Sequence, residues 1–298
     1  MNPDHSRIAV LDAPSNLGLK PPSPDREPGV RYMAASLRKL DLVRRLRAYD
    51  AGEVSPPKYH EAVEENYGIR NATAIRDYSV MLANRVEGLL NADRFPFVVG
   101  GDCSILLGSA LALRRRGRCG LLFIDGHTDL LTPDSSASSG AGGMDLSLVT
   151  GKGPCLLTAI EGHSPYIEAA DVVLFGYRQP DPKSDSPGSP LPPMTSYPLV
   201  TIRAQGIAAA GQQAVGHFEN REFWIHLDLD VLDPKWMPAV DSPDPGGMSP
   251  DQLASTLRIA LSSKKCLGME ISSYDPTLDQ GGQYCKLVVD VLENAFRI

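Results

Sequence analysis

Apolar residues in this chain fall into short continuous runs, and longer segments of helical spacing separate them. Residues 7–13, 95–99, 121–124, 171–177, 223–228 and 266–271 are such runs, bounded by Gly, Pro or charge. An apolar run of that length reads as a strand buried on both faces. Between the runs, residues 30–40, 67–91, 105–115, 144–149, 202–218, 253–261 and 282–296 repeat apolar positions at helical spacing, which predicts helices lying against the sheet. Residues 42–49 fit a short strand or a short helix. Ser249-Pro-Asp-Gln reads as a helix start, with Ser as the cap and Pro in the first turn. Pro- and Gly-rich stretches at 14–29, 132–143, 178–200 and up to Gly247 read as loops. Alternation of strand and helix predicts an α/β fold, a three-layer α/β/α arrangement on a mostly parallel sheet of about eight strands. There is no internal repeat and no long linker, so residues 1–298 are expected to form a single domain.

Composition narrows the function. With 29 basic and 36 acidic residues the formal charge is −7, which argues against a nucleic-acid partner. The dense basic run Arg114-Arg-Arg-Gly-Arg118 reads as the solvated end of a helix. No apolar stretch reaches the roughly 18 residues of a membrane span, and the first residues carry neither a basic nor an apolar leader segment. Five cysteines are scattered without a CxxC pair, so reduced thiols and a cytoplasmic location are expected. Cys119, Cys266 and Cys285 read as core residues, and Cys155 as a candidate for exposure.

Two of the apolar runs end in candidate chemistry. The run 121–124 leads into Asp125, His127 and Asp129, and the second run carries His226 into Asp228 and Asp230. On an extended chain residues at i, i+2 and i+4 share a side, which delivers these groups to the carboxyl end of a sheet, where open α/β folds place ligands. Asp and Gly are also ordinary turn residues. Two same-face carboxylates on a buried strand are costly without a cation. A donor set of carboxylates with imidazole suits a hard divalent ion, and there are enough carboxylates to bridge two ions about 3.5–4 Å apart. Three further segments end strands at the same notional edge: Gly100-Gly-Asp-Cys-Ser, with Cys103 at a helix start that favours its thiolate; Gly268-Met-Glu-Ile-Ser, with Glu270; and Phe175-Gly-Tyr-Arg-Gln-Pro-Asp181.

Leu11-Asp-Ala-Pro-Ser, Gly-Gly-Asp-x-Ser, Asp-x-His-x-Asp and Asp-x-Asp-x-x-Asp-Pro occur here in one order. On these motifs the chain resembles the arginase–agmatinase (ureohydrolase) family along nearly its whole length. The resemblance implies a binuclear Mn²⁺ centre held by Asp125, His127, Asp129, Asp228 and Asp230, with Cys103 standing where the family has its first histidine ligand. It implies a hydroxide on those ions attacking the amidine carbon of a guanidino substrate, with release of urea or a substituted urea and an amine. Asp129, His226 and Glu270 are the catalytic candidates, Glu270 and Asp181 the substrate-binding ones. Such subunits usually assemble as trimers or hexamers.

The departures point away from plain arginine. Cys103 replaces an imidazole, Gly142 stands at the place of the arginase proton-shuttle histidine, and Leu131 at that of an asparagine that reads the amino-acid end of arginine. The pattern is similar to a side branch that includes hydrolases of N-hydroxyarginine, whose hydroxyguanidine is less basic. His226 could supply the missing proton transfer or could orient a ligand from behind. Two other readings stay open. Cys103 could attack the guanidino carbon covalently with His127 as its base, or the chain could be an inactive binding protein.

Overall fold

Residues 7–179 and 191–297 are described by a computed structural model. The six apolar runs become strands β1 (Ile8–Ala13), β5 (Phe95–Gly100), β6 (Gly120–Ile124), β7 (Val172–Phe175), β9 (Phe223–Asp228) and β10 (Cys266–Ser272), and β2 (Tyr49–Glu53) and β8 (Thr195–Tyr197) join them. These eight form one sheet in the order β2-β1-β5-β10-β9-β6-β7-β8, with every neighbouring pair parallel. A separate antiparallel ladder joins β3 (Val63–Glu64) to β4 (Ile69–Arg70).

Parallel neighbours require crossover connections, and helices supply them on both faces. On one face lie α1 (Met33–Lys39), α2 (Leu42–Arg45), α7 (Leu199–Gln205), α8 (Ile207–Gly216), α9 (Pro250–Leu261) and α10 (Gln283–Phe296). On the other lie α3 (Ala72–Asn91), α4 (Leu106–Arg116), α5 (Asp145–Val149) and α6 (Cys155–Thr158). Strand residues divide between the two cores by parity. Ile8 and Val10 enter the first core and Ala9 and Leu11 the second; in β6, Leu122 and Ile124 enter the first and Leu121 and Phe123 the second. Burying each Leu, Ile or Phe of this kind is worth about 1.5–3 kcal/mol. The predicted three-layer arrangement and eight-stranded parallel sheet are therefore found.

Differences lie where packing overrides local pattern. Residues 42–49 give both a helix and a strand, α2 and then the start of β2. That strand is mostly exposed and polar, so no apolar run announces it. The helical pattern at 202–218 is two helices, α7 and α8, which meet at Gly206. Part of the loop read at 178–200 is β8, a three-residue edge strand. Ser249 forms a complete capping box with Gln252, as its sequence predicts.

Four adjacent strands, β5-β10-β9-β6, occupy the centre of the sheet. The chain leaves their carboxyl ends at Gly101, Ser273, Leu229 and Asp125, and the candidate chemistry gathers there.

Candidate metal centre

Strand β6 ends at Ile124, and the expected extended run does not continue. The His127 amide instead donates to Asp125 Oδ1 at 2.6 Å, closing a turn over two residues. Asp129 then adopts φ 47°, a left-handed conformation that a non-glycine residue adopts at a cost. Gly126 sits between, and a Cβ there would lie 1.6 Å from Arg178 Nη1. Strand β9 likewise ends at Asp228, so Asp230 lies in a 3-10 turn rather than on the strand. Asp228 Oδ1 accepts from the Asp230 amide at 2.7 Å. In both motifs the same i, i+2 spacing works through a side-chain-capped turn.

The turns bring the groups together. His127 Nδ1 lies 2.9 Å from Asp230 Oδ2, and Nε2 lies 2.8 Å from Asp244 Oδ2. Asp230 Oδ1 accepts from the Gly126 amide at 3.0 Å, tying the end of β9 to that of β6. One donor atom each from Asp125, Asp228 and Asp230 lies within 4.8 Å of the others, and the same holds for Asp125, His127 and Asp129. Cys103 donates to Asp228 Oδ2 at 2.7 Å, and Ser273 donates to the same oxygen at 2.6 Å. Asp125 is fully buried, and its Oδ2 has no hydrogen-bond partner.

Electrostatics shows what such an arrangement costs. Burial pushes the Asp125 carboxyl well up, and the charges of Asp129, Asp230 and Asp228 push it further. Burial and Asp230 also raise Asp228, against the hydrogen bonds from Cys103 and Ser273. For His127, burial opposes the charge, but Asp230, Asp129 and Asp244 outweigh it and lift the imidazole to about 10. Clustered, desolvated carboxylates with an unsatisfied oxygen fit divalent cations, which would repay the desolvation. Cys103 departs from expectation. Burial first, then Asp228, Asp145, Asp125 and Asp129, push its thiol well up, against the effect expected of the helix start.

A cavity of about 380 Å³ opens above the cluster. Cys103, His127, Asp129, Asp228, Asp230 and Ser273 line its inner end, and Lys20, Ser135 and Ser136 lie further along it. His226 and Glu270 are not among its lining residues. Both are fully buried, paired in register on the α4 face of the sheet, with His226 Nδ1 2.7 Å from Glu270 Oε1. Ser109 of α4 donates to Glu270 Oε2, and Phe123 stacks on the His226 ring at 4.7 Å. Glu270 was expected to face substrate; β10 runs two residues past it, so it lies inside the sheet. His226 likewise does not face the cavity. Asp181 lies outside the described residues.

Three participants carried no signal in the sequence. Asp244 reaches His127 from the Pro/Gly loop after β9. Ser273 leaves β10 at φ 75° and bonds Asp228. Asp145, first residue of α5, is fully buried beside His226. Asp244 and Ser273 sit singly among turn residues, and Asp145 is the lone charge at the start of a short apolar helix, so no periodicity marks any of them.

The Arginase family profile matches residues 9–297. Arginase of Staphylococcus aureus (strain COL) is 29% identical over 301 aligned positions, covering 97% of this chain and 96% of its own. Arginase of Bacillus caldovelox is 26% identical over 293, covering 97% of each. Its native crystal structure superposes with a TM-score of 0.85 at 25% identity, over 100% of this chain and 99% of that one. Proclavaminate amidino hydrolase from Streptomyces clavuligerus shares the fold at TM-score 0.72 and 18% identity, over 99% and 92%. The chain belongs to the arginase family, hydrolases that act on C–N bonds of linear amidines.

Proposed function

We propose that this protein is a manganese-dependent hydrolase of a guanidino C–N bond, acting on a small amino-acid-like substrate other than plain arginine. The observation that carries this is the cluster of Asp125, His127, Asp129, Asp228 and Asp230, four of which line one cavity while the fifth, Asp125, lies buried behind them with an oxygen left unsatisfied. These five residues would hold the ions, with Asp228 at the side towards Cys103. Divalent cations held there would lower the pKa of a coordinated water and so would supply a nucleophile at neutral pH.

The chain's own residues do the rest. Asp129, half-buried and on the cavity wall, is placed to accept a proton during attack. Asp241, on the same wall, is a carboxylate beyond those that would hold the ions and favours a cationic guanidinium. Lys20 with Ser135 and Ser136, further along the wall, offers donors to a substrate carboxylate. Gly142 and Gly143 line the wall without a proton-carrying side chain. A substrate whose nitrogen needs less protonation on leaving suits that gap, and an N-hydroxyguanidine is less basic than a guanidine.

The covalent reading of Cys103 fares worse. A nucleophilic thiol needs a base and a lowered pKa. His127 is engaged by Asp230 and Asp244 at its two nitrogens, and the Cys103 thiol is pushed up. The hydrolytic reading is tested by kcat/KM of manganese-loaded protein on N-hydroxyarginine, arginine and agmatine. It expects at least a tenfold preference for the hydroxyguanidine. A preference for arginine contradicts the substrate assignment, and no turnover on any guanidino compound favours a binding protein.

A further inference from the structure

Beneath the carboxylate cluster, on the α4 side of the sheet, lies a second group of donors that the hydrolytic reading does not use. One donor atom each from Cys103, Asp145 and His226 lies within 4.8 Å of the others. Asp145 and His226 are both 0% exposed. Asp145 Oδ2 and His226 Nε2 face each other at 3.6 Å, and neither has a hydrogen-bond partner.

Their surroundings fix what these atoms can offer. Glu270 has one oxygen accepting from Ser109, and its other oxygen faces His226 Nδ1. The Glu270 contact occupies Nδ1, which leaves Nε2 as the ring nitrogen without a partner. Asp145 Oδ1 is taken by the Leu146 amide, which leaves Oδ2 facing that nitrogen. Two unpartnered polar atoms facing each other in a dry interior call for a proton or a metal cation between them. A histidine oriented from behind by a carboxylate is also the arrangement that metal-binding imidazoles use.

We propose that Cys103, Asp145 and His226 form a site for one divalent cation of the zinc or cobalt class, distinct in its donors from the carboxylate-rich centre above. Thiolate, imidazole and a single carboxylate make a borderline-soft donor set that suits such ions and disfavours manganese. Cys103 is reached from the cavity and also touches Asp228 Oδ2. That carboxylate therefore joins the two sites, and an ion at the lower one enters past the thiol. The inference does not depend on the substrate, because it concerns which ion binds where.

The test uses the full chain, stripped of metal by chelator and titrated with Co²⁺. A thiolate-to-cobalt charge-transfer absorption should rise to one equivalent in the wild type. It should be absent in Cys103→Ser and at least tenfold weaker in apparent affinity in Asp145→Asn and His226→Gln, yet persist in His127→Asn. No thiolate band in the wild type overturns the site. So does a band that survives Asp145→Asn and His226→Gln but vanishes in His127→Asn, since the cysteine then serves the upper centre. If the buried variants do not fold, X-ray absorption on wild-type protein holding one equivalent of zinc decides alone. One sulfur at about 2.3 Å with an imidazole in the shell supports the site; an oxygen and nitrogen shell without sulfur overturns it, leaving a proton between Asp145 and His226. Urea release can fail while the cobalt band appears, so the two readings fall separately.

Discussion

Cys103 is where residue chemistry matters most. Manganese ranks low for sulfur and nitrogen donors, and a thiol must lose a proton before it binds. Burial among carboxylates makes that loss harder still. Cys103→His should raise manganese per chain towards two and increase guanidino hydrolysis. Elemental analysis alongside a urea assay checks this, and flat metal content with lost turnover would mean the thiol is the nucleophile. At this scale the sequence was legible where two donors stood two apart after an apolar run, as at Asp125, His127, Asp228 and Asp230. It was not legible where a strand's end decided the matter. Glu270 looked terminal, yet β10 carries on through Ser272, and the position facing the cavity is Ser273. Asp145 enters from the start of α5 and Asp244 from a loop, and only tertiary packing sets where either arrives.

Among elements, the turns after the central strands position the site. The Gly101 amide-to-carbonyl segment packs against the Pro14–Ser15 loop so closely that a Cβ would lie 1.7 Å from the Ser15 carbonyl oxygen. The neighbouring contacts, Asp102 amide to Ser15 oxygen and Ser273 amide to Gly101 oxygen, leave no room to shift. Gly101→Ala should cost about 1–3 kcal/mol by overpacking and also weaken metal binding beside Cys103. A denaturant midpoint and a metal titration measure the two effects. Farther away, Arg45 of α2 clamps Asp290 and Glu293 of α10. The pKa of Asp290 is lowered, first by Lys286 and then by Arg45, and that of Glu293 first by Arg45. A depressed carboxylate adds stability above its unfolded pKa that is lost as pH falls through its folded one. Arg45→Met should therefore lower stability by under about 1 kcal/mol at pH 7, since solvent reaches these groups. The deficit should shrink as pH falls below the unfolded carboxylate range and vanish only once pH has passed through the lowered folded pKa values of both groups. Urea midpoints at pH 7 and at successively lower pH test it, and a gap that does not shrink would assign it to packing. Elements with a strong period, such as α3, α9 and α10, could be read directly. The edge strands β2 and β8 could not, because an edge needs no apolar run.

At the scale of the whole molecule, one parallel sheet between two helical layers brings β5, β10, β9 and β6 side by side, so residues as distant in sequence as Cys103 and Ser273 share a cavity. Alternating apolar runs made that architecture visible in the sequence, while the order of the strands came only from packing. Among the described residues no helix is long and apolar enough to cross a membrane. The proposed function requires that the carboxylate cluster hold the ions that drive guanidino hydrolysis. The most direct test follows urea or hydroxyurea release from a guanidino panel by chelated protein, by manganese-reconstituted protein and by reconstituted Asp228→Asn. Release is expected only after reconstitution, and at least about 100-fold less in Asp228→Asn together with reduced manganese content. Undiminished release from the chelated protein, or full manganese content and activity in Asp228→Asn, would contradict it.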